Sequence, residues 1–195
     1  MPHYFIIYKP FQVLSQFSSE EGKQTLKDYF PVPTDVYPVG RLDYDSEGLL
    51  LLTNDASINQ RLLHPGFYHE REYWAQVENI ITPGALNQLQ AGVTITNNGK
   101  PYRTRPAIAS RFHESPLVAE RNPPVRYRKN IPTCWIRLIL TEGKNRQVRK
   151  MTAAVGFPTL RLIRYRIVGI TADGLLPGEI KELNRATVYK KLFNE

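Results

Sequence analysis

One run constrains this fold more than any other: Gly40-Arg-Leu-Asp-Tyr-Asp-Ser-Glu-Gly-Leu-Leu-Leu-Leu-Thr-Asn-Asp55. Its four consecutive leucines, Leu49–Leu52, are too few for a stand-alone helix and suit a buried strand. The loop in front of them holds Asp43, so a carboxylate stands at the mouth of a rigid element, where a nucleophile or general base belongs. Two plainer readings compete. Asp, Ser and Gly are ordinary turn residues, so Asp43 can simply shape a turn. Asp43-x-Asp45-x-Glu47-Gly48 also matches the first half of a calcium loop, but Asn54 stands where the bidentate Glu is required and leucines precede it, which rejects calcium.

Around this run the chain alternates irregularly between strands and short helices. Tyr4–Tyr8 reads as a strand closed by Lys9-Pro10, Thr25–Phe30 as a short helix, and Val36–Arg41 and Leu49–Thr53 as strands flanking the Asp43 loop. Asp55 is placed to N-cap a helix running to about Leu63, stopped by His64-Pro65-Gly66. In Glu72–Glu78, Tyr73, Ala75 and Val77 share one face and Glu72, Trp74, Gln76 and Glu78 the other, as in a half-buried strand. Thr82-Pro83, Leu86, Leu89 and Gly92 mark a capped helix with its stop. Asn98-Gly99 marks a hairpin turn. Residues 111–132 read as a long loop, Thr133–Thr141 as a strand, residues 144–155 as a helix, and Thr159–Ile170 as a last long strand. Leu176–Leu183 reads as a turn and short element, and the tail beyond it has no clear role. The pattern is α+β with a mainly antiparallel sheet.

Charge points to the partner. The 195 residues carry 26 Lys and Arg against 18 Asp and Glu. Between Arg103 and Arg166 the balance is 15 against 3, leaving 11 against 15 elsewhere. A basic region on a mildly acidic body fits a polyanion surface. Cys134 is the only cysteine, so no intramolecular disulfide forms and a reducing, cytoplasmic compartment is expected. The first residues lack the basic region of a secretory signal, and no segment approaches the roughly 18 apolar residues of a membrane span. The four histidines show no ligand-like grouping, so zinc is not expected.

The helix expected over 144–155 would bring Arg146, Arg149 and Lys150 onto one face and put Val148, Met151, Thr152 and Val155 on the other. Lys144 adds a fourth cation to its first seven residues, where the helix dipole disfavours positive charge. An anion is required to compensate: a buried carboxylate, an RNA phosphate, or both.

Three motifs together carry a family resemblance. Gly40–Asp55 resembles the catalytic motif of the RsuA-type pseudouridine synthases, with Ser46 where threonine is usual. Arg71-Glu-Tyr-Trp-Ala-Gln-Val77 is similar to their Lys/Arg-x-Tyr-x-Val motif, and Leu140-Thr-Glu-Gly-Lys-Asn-Arg-Gln-Val-Arg-Lys-Met151 to their third motif. Lys9-Pro10 is similar to their first, which we read as mainly structural. The resemblance implies a pseudouridine synthase fold, a mixed and mostly antiparallel sheet in two lobes with Asp43 in a cleft between them. It implies Asp43 as catalytic nucleophile or base, Arg149 as its ion-pair partner, and Tyr73 stacked on the target base. Val148 would pack against the target nucleotide, and Lys144 and Arg146 would meet phosphate. The reaction exchanges an N1–C1′ bond for a C5–C1′ bond with nothing added or removed, so no cofactor or metal is expected. The implied partner is 23S ribosomal RNA or an assembling large subunit, met by a monomer with no membrane association.

Many relatives carry an S4-type RNA-binding module ahead of the catalytic domain. Here the first strand begins at Tyr4, so a single catalytic domain over residues 1–195 is expected. Grip on RNA then falls to that domain, with Arg41, Arg103, Arg105, Arg111, Arg121, Arg126, Arg128, Lys150, Arg161, Arg164 and Arg166 as candidate contacts. Two rival classes remain. A non-catalytic RNA-binding module explains the charge and leaves the carboxylate loop without a purpose. A carboxylate-dependent hydrolase needs a second acid or a metal, and neither has convincing spacing.

Overall fold

The computed structural model of the chain describes residues 1–126 and 129–195. Residues 1–69 contain β1 (Tyr4–Lys9), β2 (Val13–Leu14), β3 (Gln24–Thr25), β4 (Tyr37–Pro38), β5 (Glu47–Thr53) and α1 (Ala56–Leu63). Next come β6 (Arg71–Glu78), α2 (Pro83–Ala91), β7 (Thr94–Asn97), β8 (Lys100–Arg103), β9 (Ile108–Arg111), β10 (Thr133–Leu140) and α3 (Gln147–Ala154). The chain closes with β11 (Thr159–Ile167), β12 (Ile170–Thr171), β13 (Ile180–Glu182) and α4 (Arg185–Phe193). The fold is α+β, with mixed but mostly antiparallel pairing, as expected. Two compact units divide it: residues 1–69 with 163–195, and residues 70–162.

In the first unit β5 is the organising strand. Every residue from Glu47 to Thr53 is buried. One edge pairs antiparallel with β1, from Tyr4 opposite Thr53 to Lys9 opposite Gly48. The other edge is shared by β4 at one end and by β11, in parallel, at the other. A strand enclosed on all sides must be apolar on both faces, which is why four leucines run without alternation. Leu50 and Leu52 pack with Ile7, Val13, Leu26, Phe30 and Val36. Burying each leucine contributes about 2 kcal/mol before entropic costs. The Val36–Arg41 strand expected from sequence shrinks to Tyr37–Pro38, followed by one further bond from the Val39 N–H to the Leu51 carbonyl at 2.8 Å. Thr25–Phe30 holds a single 3-10 turn, Leu26–Asp28, instead of an α-helix.

In the second unit β10 lies between β6 and β9, antiparallel to both. Ala75, Val77, Ile136 and Leu138 form a core with Ala85 and Leu89 of α2 and Val148 and Met151 of α3. Thr82 caps α2 by accepting the Ala85 N–H at 3.2 Å, and β7 and β8 form the expected hairpin. The opposite face of β6 is not simply solvated. Glu72 is buried, with Oε1 accepting from Arg137 Nε at 2.8 Å and from Trp74 Nε1 at 2.9 Å. No helix among the described residues is long and apolar enough to cross a membrane.

Candidate active site

The first unit presents Asp43 half-buried in the loop between β4 and β5. Gly40 starts the loop at a φ of +73°, and a Cβ there would lie 3.0 Å from Leu63 Cδ2 at the end of α1. The Ser46 N–H donates to the Asp43 carbonyl at 3.0 Å and closes the turn. Gly48 ends it at a φ of +106°, where a Cβ would meet the Arg164 carbonyl oxygen at 2.4 Å. Only glycine permits β5 and β11 to approach at this point. The turn reading and the carboxylate reading of Asp43 are thus compatible: a tight, over-determined turn is what holds the side chain.

Beneath the loop lies Lys9, fully buried at the end of β1. Its Nζ donates to the carbonyls of Pro10, at 2.9 Å, and Val13, at 2.8 Å. Burial pulls its pKa down to about 7, opposed by the carboxylates of Glu47, Asp45 and Asp43 and reinforced by Arg164. Lys9 is therefore a structural pin for the turn that follows β1, as the Lys9-Pro10 reading anticipated. Arg164 needs correcting. It was expected on phosphate, yet it is only 4% exposed, and its Nε donates to the Leu49 carbonyl at 2.8 Å. It belongs to a run of four buried residues in β11, Arg161 to Arg164. Arg41 is exposed, two residues before Asp43.

The second unit carries the other candidates. Tyr73 is half-buried on β6 and packs against the core cluster that includes Val148. The Arg149 Nη1 donates to the Thr159 carbonyl at 3.2 Å, which fixes the side chain along the start of β11. Helix α3 starts at Gln147, three residues later than expected. Arg146 is its N-cap and sits in the left-handed region at φ 52°, so Lys144 and Arg146 precede the helix and do not share the Arg149–Lys150 face. The physical reason is Gln147. Its side-chain oxygen accepts the Lys144 N–H at 2.8 Å and stabilises a turn where a helical turn was expected.

A buried carboxylate does stand at this point. Glu142, 8% exposed, accepts from Gln147 Nε2 at 2.6 Å, from the Arg105 N–H at 3.0 Å and from the Tyr102 hydroxyl. That hydrogen bond, with burial and the carboxylate's charge, raises the Tyr102 pKa. The Lys144 ammonium lies 4.9 Å from the centre of the Tyr102 ring. Glu142 thus organises Tyr102, Arg105 and the approach to α3. Sequence reasoning passed over it, although a carboxylate directly following an apolar strand was a visible signal. Arg103 is exposed and donates to the Ala91 carbonyl at 3.3 Å. Arg126 is exposed and Lys150 half-buried, and Arg128 lies outside the described residues.

Comparison with known proteins places this arrangement. The family model described as RNA pseudouridylate synthase matches residues 3–154. The chain belongs to that family. Ribosomal large subunit pseudouridine synthase E of Vibrio vulnificus (strain CMCP6) is 48% identical over 92% of this chain and 74% of its own length. The protein of the same name from Xanthomonas axonopodis pv. citri is also 48% identical, over 88% of this chain and 89% of its own. A solved pseudouridylate synthase superposes with a TM-score of 0.78 at 24% identity, covering 98% of this chain and 74% of that one, and so shows the same fold. As a pseudouridylate synthase, the chain is an isomerase, and the loop at Asp43 and the approach to α3 both fall within the matched residues.

Proposed function

We propose that this synthase converts a specific uridine of 23S ribosomal RNA to pseudouridine, with Asp43 as the reacting carboxylate. The reading is carried by the Asp43 loop: a half-buried acid on a turn whose backbone is tied on both sides, at the head of an enclosed strand. The names of its relatives, which are large-subunit synthases, support the choice of RNA. The target nucleotide must leave its stack to react, at a cost of a few kcal/mol. Tyr73 offers an aromatic face for the extruded base, and Val148 an apolar contact beside it. Arg149 is the cation that keeps the carboxylate ionised and oriented in the reacting complex. Asp43 then acts as nucleophile or base while the N1–C1′ bond breaks, the base turns, C5 bonds C1′, C5 gives up its proton and N1 takes one up, so that atoms balance. Arg41, Arg103, Arg105, Arg126, Lys144, Arg146 and Lys150 supply the contacts to phosphate, so binding weakens steeply with salt.

The test is direct. Incubation of the purified protein with a 23S transcript is expected to create pseudouridine at one position, mapped by carbodiimide adducts and primer extension. The same position should be unmodified in ribosomal RNA from cells lacking the gene. Tight, salt-dependent RNA binding with no pseudouridine formed would overturn the enzymatic reading in favour of a binding module.

A further inference from the structure

The segment that follows β1 does more for the site than its distance in sequence suggests. The Ser15 hydroxyl, 4% exposed, accepts the Leu42 N–H at 3.0 Å and donates to the Leu42 carbonyl at 2.8 Å. Both backbone groups of the residue preceding Asp43 are thus satisfied by one side chain. On the other side of Asp43, the Tyr44 carbonyl accepts the Gln12 N–H at 2.9 Å. Together with the Ser46 bond to the Asp43 carbonyl, the carbonyls of residues 42, 43 and 44 are all held. Gln12 adopts φ 57° to make its contact, a left-handed backbone that a non-glycine residue accepts at a cost of about 1–2 kcal/mol. The buried Lys9 ammonium fixes the base of the same turn through the Pro10 and Val13 carbonyls.

We propose that Ser15 is a positioning residue for the isomerisation: its paired hydrogen bonds to Leu42, with the Gln12–Tyr44 bond, set the direction of the Asp43 carboxylate. The inference deepens the reading above and rests on Asp43 being the reacting group. A hydroxyl is required because it both donates and accepts. Threonine keeps that ability, cysteine keeps the volume with much weaker bonds, and alanine has neither. Small errors in placing a reacting group are expensive, about a hundredfold in rate for 1 Å.

Single-turnover isomerisation, RNA affinity and thermal unfolding are measured for Ser15→Ala, Ser15→Cys, Ser15→Thr and Asp43→Asn beside the wild type. Ser15→Ala is expected to slow the chemical step about tenfold to a hundredfold, with RNA affinity unchanged within about twofold. Ser15→Cys falls between, and Ser15→Thr restores the rate to within about threefold. Should Ser15→Ala not fold, the cysteine variant, which preserves volume, carries the same expectation of a slowed chemical step at unchanged affinity. A wild-type rate in the alanine or cysteine variant overturns the proposal, as does a loss seen in affinity instead of rate, or a failure of threonine to rescue. An inactive Asp43→Asn beside a fully active Ser15→Ala sinks the positioning role alone. An active Asp43→Asn sinks the role of Asp43 and, with it, that of Ser15.

Discussion

Two loops of this synthase are built on opposite plans. The Asp43 loop is short and tied at the carbonyls of residues 42, 43 and 44, with partners from residues 15, 46 and 12, and it ends where Gly48 meets Arg164. The segment between β9 and β10 spans residues 112–132, far longer, and each of its described residues is exposed or half-buried. The Arg121 Nε and Nη2 donate to the Pro123 and Pro124 carbonyls at 2.8 and 3.0 Å, and the Arg161 Nη2 to the Ala119 carbonyl at 2.8 Å. The Phe112 backbone N–H donates to the Trp135 carbonyl at 3.0 Å. Under the proposed function the difference would separate two tasks. A reacting carboxylate needs a fixed geometry, which burial and hydrogen bonding provide. A surface that follows a long polyanion needs reach and charge, which an exposed segment provides at little cost to stability.

Substitutions break the comparison at different depths. The largest effect is expected from Asp43→Asn, which removes the charge and keeps the shape. Product formation should fall by at least about a thousandfold with RNA affinity retained, as read by pseudouridine mapping beside a binding isotherm. Residual turnover near the wild-type rate would transfer the chemistry elsewhere. Gly48→Ala comes next. Its Cβ would meet the Arg164 carbonyl oxygen at 2.4 Å on a backbone at φ +106°. We expect a loss of about 3 kcal/mol or more in denaturant unfolding, together with activity.

Lys9 gives a pH signature. Its folded pKa of about 7 lies below the ordinary lysine value of 10.5, so between these values the unfolded chain binds more protons than the folded one. Stability therefore rises with pH over that window, by about 2 kcal/mol from pH 7 to pH 9, and is lowest below pH 7. Lys9→Met should abolish this rise in the unfolding free energy, and an undiminished rise would assign it to another group. The smallest effect is expected at Arg126. Replacing it by alanine should weaken RNA binding a few-fold and reduce the salt slope by about 1, without altering the single-turnover rate at saturation.

What was legible in the sequence was short-range. The leucine run of β5, the Asp55 cap of α1, the Thr82 cap of α2 and the hairpin at Asn98-Gly99 each rest on residues within a few positions of one another. The RNA-modifying family was legible because three motifs occur together in one chain. The misread parts depend on partners far away or on backbone choices that residue type does not announce. Glu72 was placed on a solvated face, but Arg137, 65 residues on, buries it. Arg164 was counted among surface cations, but it serves the Leu49 carbonyl, 115 residues back. The first turn expected for α3 is absent because Arg146 is left-handed, which its identity does not reveal. Helix α4 was missed because only Val188 and Leu192 of its residues are buried, too few for a visible stripe. The Ser15 contact to Leu42 crosses 27 residues and has no signature in sequence at all.

The first unit is assembled from two stretches of chain, residues 1–69 and 163–195, whereas the second is continuous. Asp55 shows how the stretches are joined. It caps α1 through Ser57 while accepting the hydroxyls of Tyr4 and of Tyr189 in α4. During synthesis, residues 70–162 are joined in full before Tyr189 is added. The middle of the polypeptide is continuous and can close on itself while Asp55 still awaits its partner from α4.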